Sequence, residues 1–291
     1  MTTHMIEQAP QATAARKRLA LNLPNSTAFI VLLILAILWI LPILWGIDTS
    51  LKPEAETTTI PASWFPSAFT FLAFERVISN SDLPIWYFNS ALTSIVITVA
   101  TVITSSLAAF AFSHIPFLGR KFLFWLILAG IMVPGAVLII PLFTLVQSFG
   151  MVDTYWGIIL PQIASPVSMF IFKQYFDGIP RDFEEAALLD GASRLRIYWQ
   201  IWMPLARPAI SAVAILAFVT SWNNFLWPFI VITGNHMMTI PVGLATIQTS
   251  YGLRYAQIMA SAILAGLPII VVFLFFQRQI VQGLAASGLR G

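Results

Sequence analysis

Cysteine is absent from this chain of 291 residues, which excludes disulfide bonds and thiolate metal sites within it. Charged residues are also scarce: they make up 9% of the chain, whereas roughly 25% is usual in soluble domains. Hydrophobic residues account for 58%. Such a composition is stable only where lipid is the main solvent, so it predicts a protein that crosses a membrane several times.

Three further absences limit the function. The chain has no G-x-x-x-x-G-K-(S/T) phosphate loop, so it cannot itself be a P-loop ATPase. Its long apolar runs hold no Asp or Glu, although an ion-coupled transporter normally places ionisable residues inside its spans. Its three histidines, His4, His114 and His236, are scattered through the tail and the loops, whereas a membrane-embedded enzyme would need a cluster. An ion-coupled transporter and an enzyme are therefore the disfavoured alternatives.

Six uncharged stretches are long enough, or nearly so, to cross a bilayer core of about 30 Å. The sequence therefore predicts an all-α, polytopic membrane protein with six transmembrane helices, in which residues 1–25 form a tail and residues 26–291 the transmembrane domain. The predicted spans are residues 29–47, 86–112, 122–141, 156–172, 209–232 and 255–276.

The basic residues predict how these spans face. With an even number of spans both termini lie on one side, and placing them inside also puts most lysines and arginines there. Only Lys52, Arg76 and Arg254 then lie outside. The positive-inside rule thus predicts cytoplasmic termini and a cytoplasmic segment at residues 177–204. The net charge of +3 reflects this orientation and implies no nucleic-acid partner.

The longest charged interval, residues 177–204, is typical of two short helices joined by a hinge. Acidic residues open the first helix, just after Pro180, where the positive end of the helix dipole favours them. They are Asp182, Glu184 and Glu185. Gly191 follows, and a residue that adopts a left-handed backbone ends a helix at little cost. The sequence therefore predicts a first helix over about residues 181–190 and a turn at Gly191.

The second helix of this interval is amphipathic. Ser193 is placed to cap its N-terminus, and Pro204 is expected to end it. Four apolar residues at helical spacing form one face, which is expected to lie against the membrane domain. These residues are Leu195, Tyr198, Trp199 and Trp202.

The same interval contains a spaced pattern: E-A-A, three residues, G, nine residues, then I-x-M-P. The residues that carry it are Glu185, Ala186, Ala187, Gly191, Ile201 and Pro204. It resembles the cytoplasmic coupling loop of permease subunits of binding-protein-dependent ABC importers, in which Leu is usual where Met203 stands, a volume-conserving swap. An ordinary amphipathic helix pair would explain the capping but not the whole pattern. The resemblance implies that these residues, with Glu184 and Asp190, couple the chain to an ATPase.

The C-terminal residues 277–291 carry a second pattern, Q-R, V-x-G-L and G-x-R-G in that order. It is similar to the ending of the smaller permease subunit in maltose-type carbohydrate importers, and Trp222-Asn223-Asn224-Phe225 is like a segment of that subgroup. The resemblance covers essentially the whole chain from the first span on. It implies an ABC importer type I permease fold with a two-helix coupling loop, in the bacterial cytoplasmic membrane.

The resemblance also implies the partners and the activity. Such a subunit pairs with a second permease as a heterodimer, with two copies of a cytoplasmic ATPase, and with an extracytoplasmic solute-binding protein. It moves a carbohydrate by alternating access and is not itself an enzyme, so no catalytic residue, metal or cofactor is expected here and the ATPase binds ATP and Mg²⁺. The sequence does not name the sugar. A glycerol-phosphate or polyol substrate is the alternative, because glycerol-phosphate importers have closely similar subunits.

Two spans contain polar residues that are candidates for a substrate pathway. In the fifth span, Asn223 and Asn224 are costly unless hydrogen bonded, and Trp222 and Trp227 lie beside them as aromatic rings do in sugar sites. An interhelical hydrogen bond with an aromatic belt explains these residues equally well. The fourth span is expected to be a broken helix that lines a pathway. It contains Pro161, Gln162, Ser165, Pro166 and Ser168.

Two further spans have features that predict local structure. The third is expected to kink or break at Pro134 and Gly135. The second has small hydroxyl residues along one helical face, for which close packing is the favoured explanation and a pore lining the alternative. These are Ser90, Ser94, Thr98, Thr101 and Ser105.

Overall fold

The computed structural model describes residues 26–61, 63–79, 82–250 and 254–288, and its regular elements in that part of the chain are all helical. The predicted tail of residues 1–25 and the last residues of the C-terminal pattern, 289–291, lie outside it. The helices are α1 (Ser26–Ser50), α2 (Leu72–Ser79), α3 (Leu83–His114), α4 (Arg120–Ala129), α5 (Gly135–Ser148), α6 (Tyr155–Ile163), α7 (Pro166–Asp177), α8 (Asp182–Leu189), α9 (Arg194–Leu205), α10 (Arg207–Trp222), α11 (Leu226–Val231), α12 (Ile240–Ser250) and α13 (Tyr255–Gly288).

The chain forms two units, Met1–Trp45 and Gly46–Gly291. The described part of the first unit is the beginning of α1. The second unit contains α2 to α13, and large apolar side chains of these helices are exposed, among them Phe122, Val137 and Phe275. An apolar surface of this kind needs lipid as its solvent.

Three helical segments are long and apolar enough to cross a membrane: Ala28–Ser50, Leu83–His114 and Tyr255–Gln277. Three pairs of consecutive helices are also long and apolar enough, each pair taken together, to cross a membrane. Each pair is bent at a short break, by 105°, 42° and 80°. If each bent pair is one crossing, the described residues contain up to six, which is the predicted number. The third pair, however, joins α9 of the predicted coupling loop to α10 and overlaps the predicted fifth span only at residues 209–222.

Two of the bends lie where the sequence predicts broken helices. A short 3-10 turn follows α4, and Pro134 then leaves the helical conformation, so α5 leaves at 105°. The predicted break at Pro134 and Gly135 is confirmed. In the fourth span the break lies at Ala164 and Ser165, where the Ser165 hydroxyl accepts a hydrogen bond of 3.2 Å from the Ser168 amide and starts α7. Pro161, by contrast, lies inside α6.

The fifth predicted span, residues 209–232, is not the continuous helix that was expected. Helix α10 ends at Trp222 and α11 begins at Leu226. Pro228 has no amide hydrogen and cannot donate a helical hydrogen bond to the Asn224 carbonyl. The side chain of Asn223 competes for backbone acceptors, because it donates to the Val219 carbonyl at 3.0 Å. Both effects favour an interruption at residues 223–225.

Helix α3 is the element around which its neighbours pack. It contacts α6, α7 and α10 along its length. Its hydroxyl face is turned inward, since Ser90, Ser94, Thr101 and Ser105 are all buried, which favours the packing explanation for this stripe. Ser90 also accepts a hydrogen bond of 2.8 Å from the Ile240 amide, so the stripe fixes the start of α12 as well.

Candidate functional site

The first helix of the predicted coupling loop, α8, runs over Asp182–Leu189 and nearly matches its predicted bounds. Its three acids lie in the first turn, as the helix dipole favours. Gly191 ends it with a φ of +76°, in the left-handed region that was predicted. The Ala192 amide donates to the Ala187 carbonyl and the Gly191 amide to the Leu188 carbonyl, both at 3.0 Å. This pair of backbone hydrogen bonds is the Schellman motif, which commonly ends a helix.

Most residues of the E-A-A pattern are at the surface. Glu185, Ala186, Asp190 and Gly191 are exposed, as is Pro204, while Ala187 and Ile201 are half-buried. Leu189 is 89% exposed, which is unusual for a large apolar side chain unless another surface covers it. We call Glu185, Ala186, Leu189 and Asp190 the exposed face of α8.

Glu184, which the sequence grouped with these residues, does not belong to this face. Its residue is only 7% exposed, and its carboxylate binds His114 and Arg194 of the same chain. The E-A-A spacing cannot distinguish Glu184 from Glu185, because adjacent residues on a helix point about 100° apart and only the neighbours decide which one is buried.

The second helix of the loop, α9, differs from its predicted amphipathic face. Tyr198 and Trp202 are fully buried, but Leu195 is 67% and Trp199 50% exposed. A π-helical turn over Tyr198–Trp202 explains part of the difference, because its wider repeat rotates the side chains away from a 3.6-residue spacing. The Ser193 hydroxyl caps the helix as predicted, accepting from the Arg196 amide at 3.3 Å.

Pro204 does not end α9, contrary to expectation. The helix continues to Leu205, and Ala206 separates it from α10, which leaves at a bend of 80°. Pro204 follows the π-helical turn directly, and its missing amide hydrogen interrupts the backbone hydrogen bonds of α9 without ending the helix.

The interruption of the fifth span contacts the fourth through two amides. The Asn224 side chain donates a hydrogen bond of 2.7 Å to the Gln162 side chain, and the Gln162 amide donates to the Ile158 carbonyl at 2.8 Å. Asn224 also accepts a long bond of 3.4 Å from the Trp227 amide. Asn223 is exposed. The interhelical hydrogen bond that sequence reasoning considered is therefore present at Asn224.

The two tryptophans of this segment are buried. Trp222 stacks on Phe218 at 5.6 Å between ring centroids, and its indole nitrogen donates to the Ala265 carbonyl at 3.2 Å. The indole nitrogen of Trp227 donates to the Gly157 carbonyl at 3.0 Å. Neither ring presents a free face in this structure, and a place for Trp222 or Trp227 in the pathway stays a prediction.

An open cavity of about 270 Å³ lies between α3, α7 and α10, beside the break of the fourth span. Six of its lining residues are polar and uncharged: Thr101, Gln162, Ser165, Ser168, Thr220 and Ser221. Sequence reasoning identified Gln162, Ser165 and Ser168 as polar residues of a candidate pathway helix. The four predicted pathway residues, all within the described part of the chain, are not in the lining, although Asn224 reaches it through Gln162.

Asn89, a residue that sequence reasoning missed, lies near the N-terminus of α3 and joins this helix to neighbouring segments. Its buried amide donates to the His236 and Met238 carbonyls at 2.8 and 2.9 Å and accepts from the Tyr155 hydroxyl at 2.7 Å. An amide inside a predicted span is the signal that could have found it. Asn89 thereby holds the segment between α11 and α12 against α3 and α6.

Asp153, which lies in the connection between α5 and α6, binds the same segment between α11 and α12. Its carboxylate accepts hydrogen bonds from the Gly234 and Thr233 amides at 3.0 and 3.1 Å. Its own amide donates to the Val231 carbonyl at 2.9 Å, and its φ is +61°. The amide of Gly234, and then that of Thr233, lowers the pKa of the Asp153 carboxyl from its ordinary value of 3.8.

Comparison with known proteins finds one matching family and similar permease sequences. Residues 100–285 match the family described as binding-protein-dependent transport system inner membrane component. The arabinooligosaccharides transport system permease protein AraQ of Halalkalibacterium halodurans is 38% identical over 88% of this chain and 93% of its own length. AraQ of Bacillus subtilis is 35% identical over 99% of this chain and 100% of its own.

A solved structure resembles the fold. It is a chain of a bacterial ABC transporter involved in the import of the acidic polysaccharide alginate, with a TM-score of 0.80 and 22% identity. The match covers 87% of this chain and 95% of that chain.

Proposed function

This chain belongs to the family of binding-protein-dependent transport system inner membrane components, and we propose that it is the permease subunit of an ABC importer for a carbohydrate. The exposed face of α8 carries the proposal. An E-A-A helix that ends at a left-handed Gly191 and leaves Leu189 uncovered is a surface to which another protein can bind. The names of the two AraQ relatives support a carbohydrate substrate.

The substrate class is a neutral, hydroxyl-rich molecule. The cavity beside the broken fourth span has a polar lining of hydroxyls and one amide, which exchange hydrogen bonds with sugar hydroxyls. Among the described residues its lining contains no Lys or Arg, whereas a phosphate group would be stabilised by such a cation. A sugar therefore suits the cavity better than a glycerol phosphate does, and an uncharged polyol suits it equally well.

The pathway residues have distinct roles in this proposal. Asn224 holds Gln162 at the edge of the cavity, and Asn223 contributes an exposed amide. Trp222 and Trp227, buried here, become available to a sugar ring only if the interruption at residues 223–225 moves during alternating access.

The driving force comes from another chain. Two copies of an ATPase bind ATP and Mg²⁺, and one of them receives α8 in a groove, where Ala186 and Ala187 allow close approach and Glu185 pairs with a basic residue. A second permease completes the pathway, and a solute-binding protein delivers the sugar. This chain performs no catalysis. Both of its termini lie in the cytoplasm, on the side of the coupling loop, residues 177–204.

Reconstitution tests this function directly. The chain is purified with the second permease and the ATPase that assemble with it, inserted into proteoliposomes, and supplied with the solute-binding protein. We expect ATP-dependent uptake of labelled arabino-oligosaccharide or maltose that an ionophore does not abolish, with little competition from glycerol 3-phosphate. Uptake that follows an ion gradient without the ATPase would contradict the proposal, and preferential uptake of glycerol 3-phosphate would favour the alternative substrate.

A further inference from the structure

A buried carboxylate joins three helices at the base of the coupling loop. Glu184 of α8 places one oxygen 2.7 Å from Nδ1 of His114, the last residue of α3. Its other oxygen accepts a hydrogen bond of 2.9 Å from the Arg194 guanidinium at the start of α9. The same guanidinium donates to the His114 carbonyl at 3.3 Å. We call Glu184, His114 and Arg194 the clasp.

Two acceptors of the clasp gain a partner from Arg194: the Glu184 carboxylate and the His114 carbonyl. The His114 side chain is 3% exposed and that of Glu184 9%, and a carboxylate buried to this degree is costly unless it is paired. The His114 carbonyl lies at the C-terminus of α3, where helix carbonyls lack a partner and a cation is favoured. Arg194 therefore supports both the carboxylate and the end of α3.

Aromatic packing extends the clasp along α3. The His114 ring lies 3.9 Å from that of Trp202 between centroids, and Phe110 packs against Tyr198 at 5.4 Å. One turn further, the Ser106 hydroxyl is hydrogen bonded to that of Tyr198 at 2.7 Å, in a fully buried position. Residues 106, 110 and 114 follow at intervals of four, so they form one face of α3. The π-helical turn of α9 thus contacts α3 over two turns.

We propose that the clasp positions α8 and α9 on the end of α3, and that α3 carries movement of the coupling loop to the substrate cavity. This inference rests on the proposed function. Thr101 and Ile97 of α3 line the cavity, and Thr101 lies about 20 Å of helix away from His114 at 1.5 Å per residue. One continuous helix joins the two sites, in addition to the covalent link from α9 to α10. Glu184 is thus a positioning residue rather than a docking residue.

Substitution in reconstituted complexes tests the clasp. Glu184→Gln and His114→Gln are compared alone and together, with Asp182→Asn as the matched control that removes an exposed acid from the same helix turn. We expect both single variants to hydrolyse ATP but to transport at least about fivefold less labelled arabino-oligosaccharide or maltose per ATP, the scale of a modest coupling energy. The double variant should transport no less sugar per ATP than the more impaired single variant, because both substitutions remove the interaction between Glu184 and His114. The control should keep the wild-type ratio.

A distance measurement tests the same idea without altering the clasp. Because the chain has no cysteine, Cys introduced at Leu188 of α8, which lies outside the exposed face defined above, and at Leu107 of α3 gives the chain two specific labelling sites, both exposed. In the assembled complex we expect the same narrow distance distribution with and without ATP and Mg²⁺. Adding Glu184→Gln should broaden it, and adding Asp182→Asn should not.

The outcomes separate the clasp from the proposed function. A wild-type label distance that changes on ATP binding, or that Glu184→Gln leaves unaltered, overturns the clasp. So does a wild-type ratio of transport to hydrolysis in both single variants. If the wild-type complex takes up no labelled sugar with ATP, the proposed function fails, while the label distances, which need no sugar, still decide whether α8 and α3 move together.

Discussion

The amide of Asn224 donates a hydrogen bond of 2.7 Å to the side-chain oxygen of Gln162, which joins the interruption of the fifth span to the end of α6. Gln162 lines the polar cavity, and Asn224 is the group that orients it. The pair therefore connects the interruption of the fifth span to the broken fourth span beside the cavity. Irregular backbone in a membrane is tolerated at such a position, where it faces protein or water.

Replacing Asn224 by Leu should lower transport while the subunits still assemble. The Gln162 oxygen loses its partner, and an unsatisfied polar group that is partly buried costs about 1–3 kcal/mol. Sugar uptake and thermal stability are measured at equal subunit content. Thr104→Val is the control, because the Thr104 hydroxyl donates to the carbonyls of Ala100 and Thr101 in its own helix. Unchanged uptake and unchanged stimulated hydrolysis in Asn224→Leu would remove Asn224 from the pathway.

Gly191→Val should leave the spans inserted but weaken coupling of hydrolysis to transport. Apart from Gly191 and its two chain neighbours, the described residues place no heavy atom within 4 Å of a Cβ added at Gly191. The cost therefore comes from its φ of +76° and amounts to about 1–2 kcal/mol. Relief of that strain changes the angle between α8 and α9. Ser193→Ala, which removes only a helix cap worth about 1 kcal/mol, is the milder comparison. Equal coupling in the two variants would show that the left-handed turn has no role in transmission.

Glu185→Lys should weaken binding of the ATPase, because it replaces one of the two acids on the exposed face of α8 with a base. Co-purification of the ATPase and the apparent affinity of the complex in ATPase titrations measure the effect. Glu75→Lys, which reverses an exposed charge on α2, is the control and should bind normally. Normal binding of Glu185→Lys would mean that this acid does not touch the ATPase.

Asp153→Asn should reduce the sensitivity of the isolated complex to acid. The folded state lowers the pKa of Asp153, so its stabilising contribution is present above its ordinary pKa of 3.8 and is lost as the pH falls through the lower folded value. Wild-type melting temperature should therefore decline more steeply than that of the variant as the pH drops below about 4. Parallel melting curves at pH 7 and pH 3 would exclude a contribution from Asp153.

Reporter fusions test the predicted orientation. A reporter after Gly291 should be cytoplasmic, and one inserted near Ser67, which is exposed, should be outside. An alkaline phosphatase and green fluorescent protein pair gives opposite signals on the two sides. Reversed labelling would overturn either the span count or the orientation.

Short-range features were predictable from the sequence because they depend on neighbouring residues. The apolar runs indicated the long helices, Pro134 and Gly135 the sharp bend, Gly191 the left-handed turn and Ser193 the helix cap. Each of these follows from backbone geometry or from solvent, and each agrees with the structure.

The sequence by itself therefore determined that the chain crosses a membrane and where some of its helices turn, but not the interruption at residues 223–225. Only the tertiary structure decided which side chains face inward. Glu184 is buried because His114 and Arg194 meet it, the π-helical turn moves Trp199 to the surface, and Asn224 finds Gln162 across 62 residues of chain. Periodicity cannot foresee such contacts, because the energy of burying a polar group depends on partners that only the packed helices bring within reach.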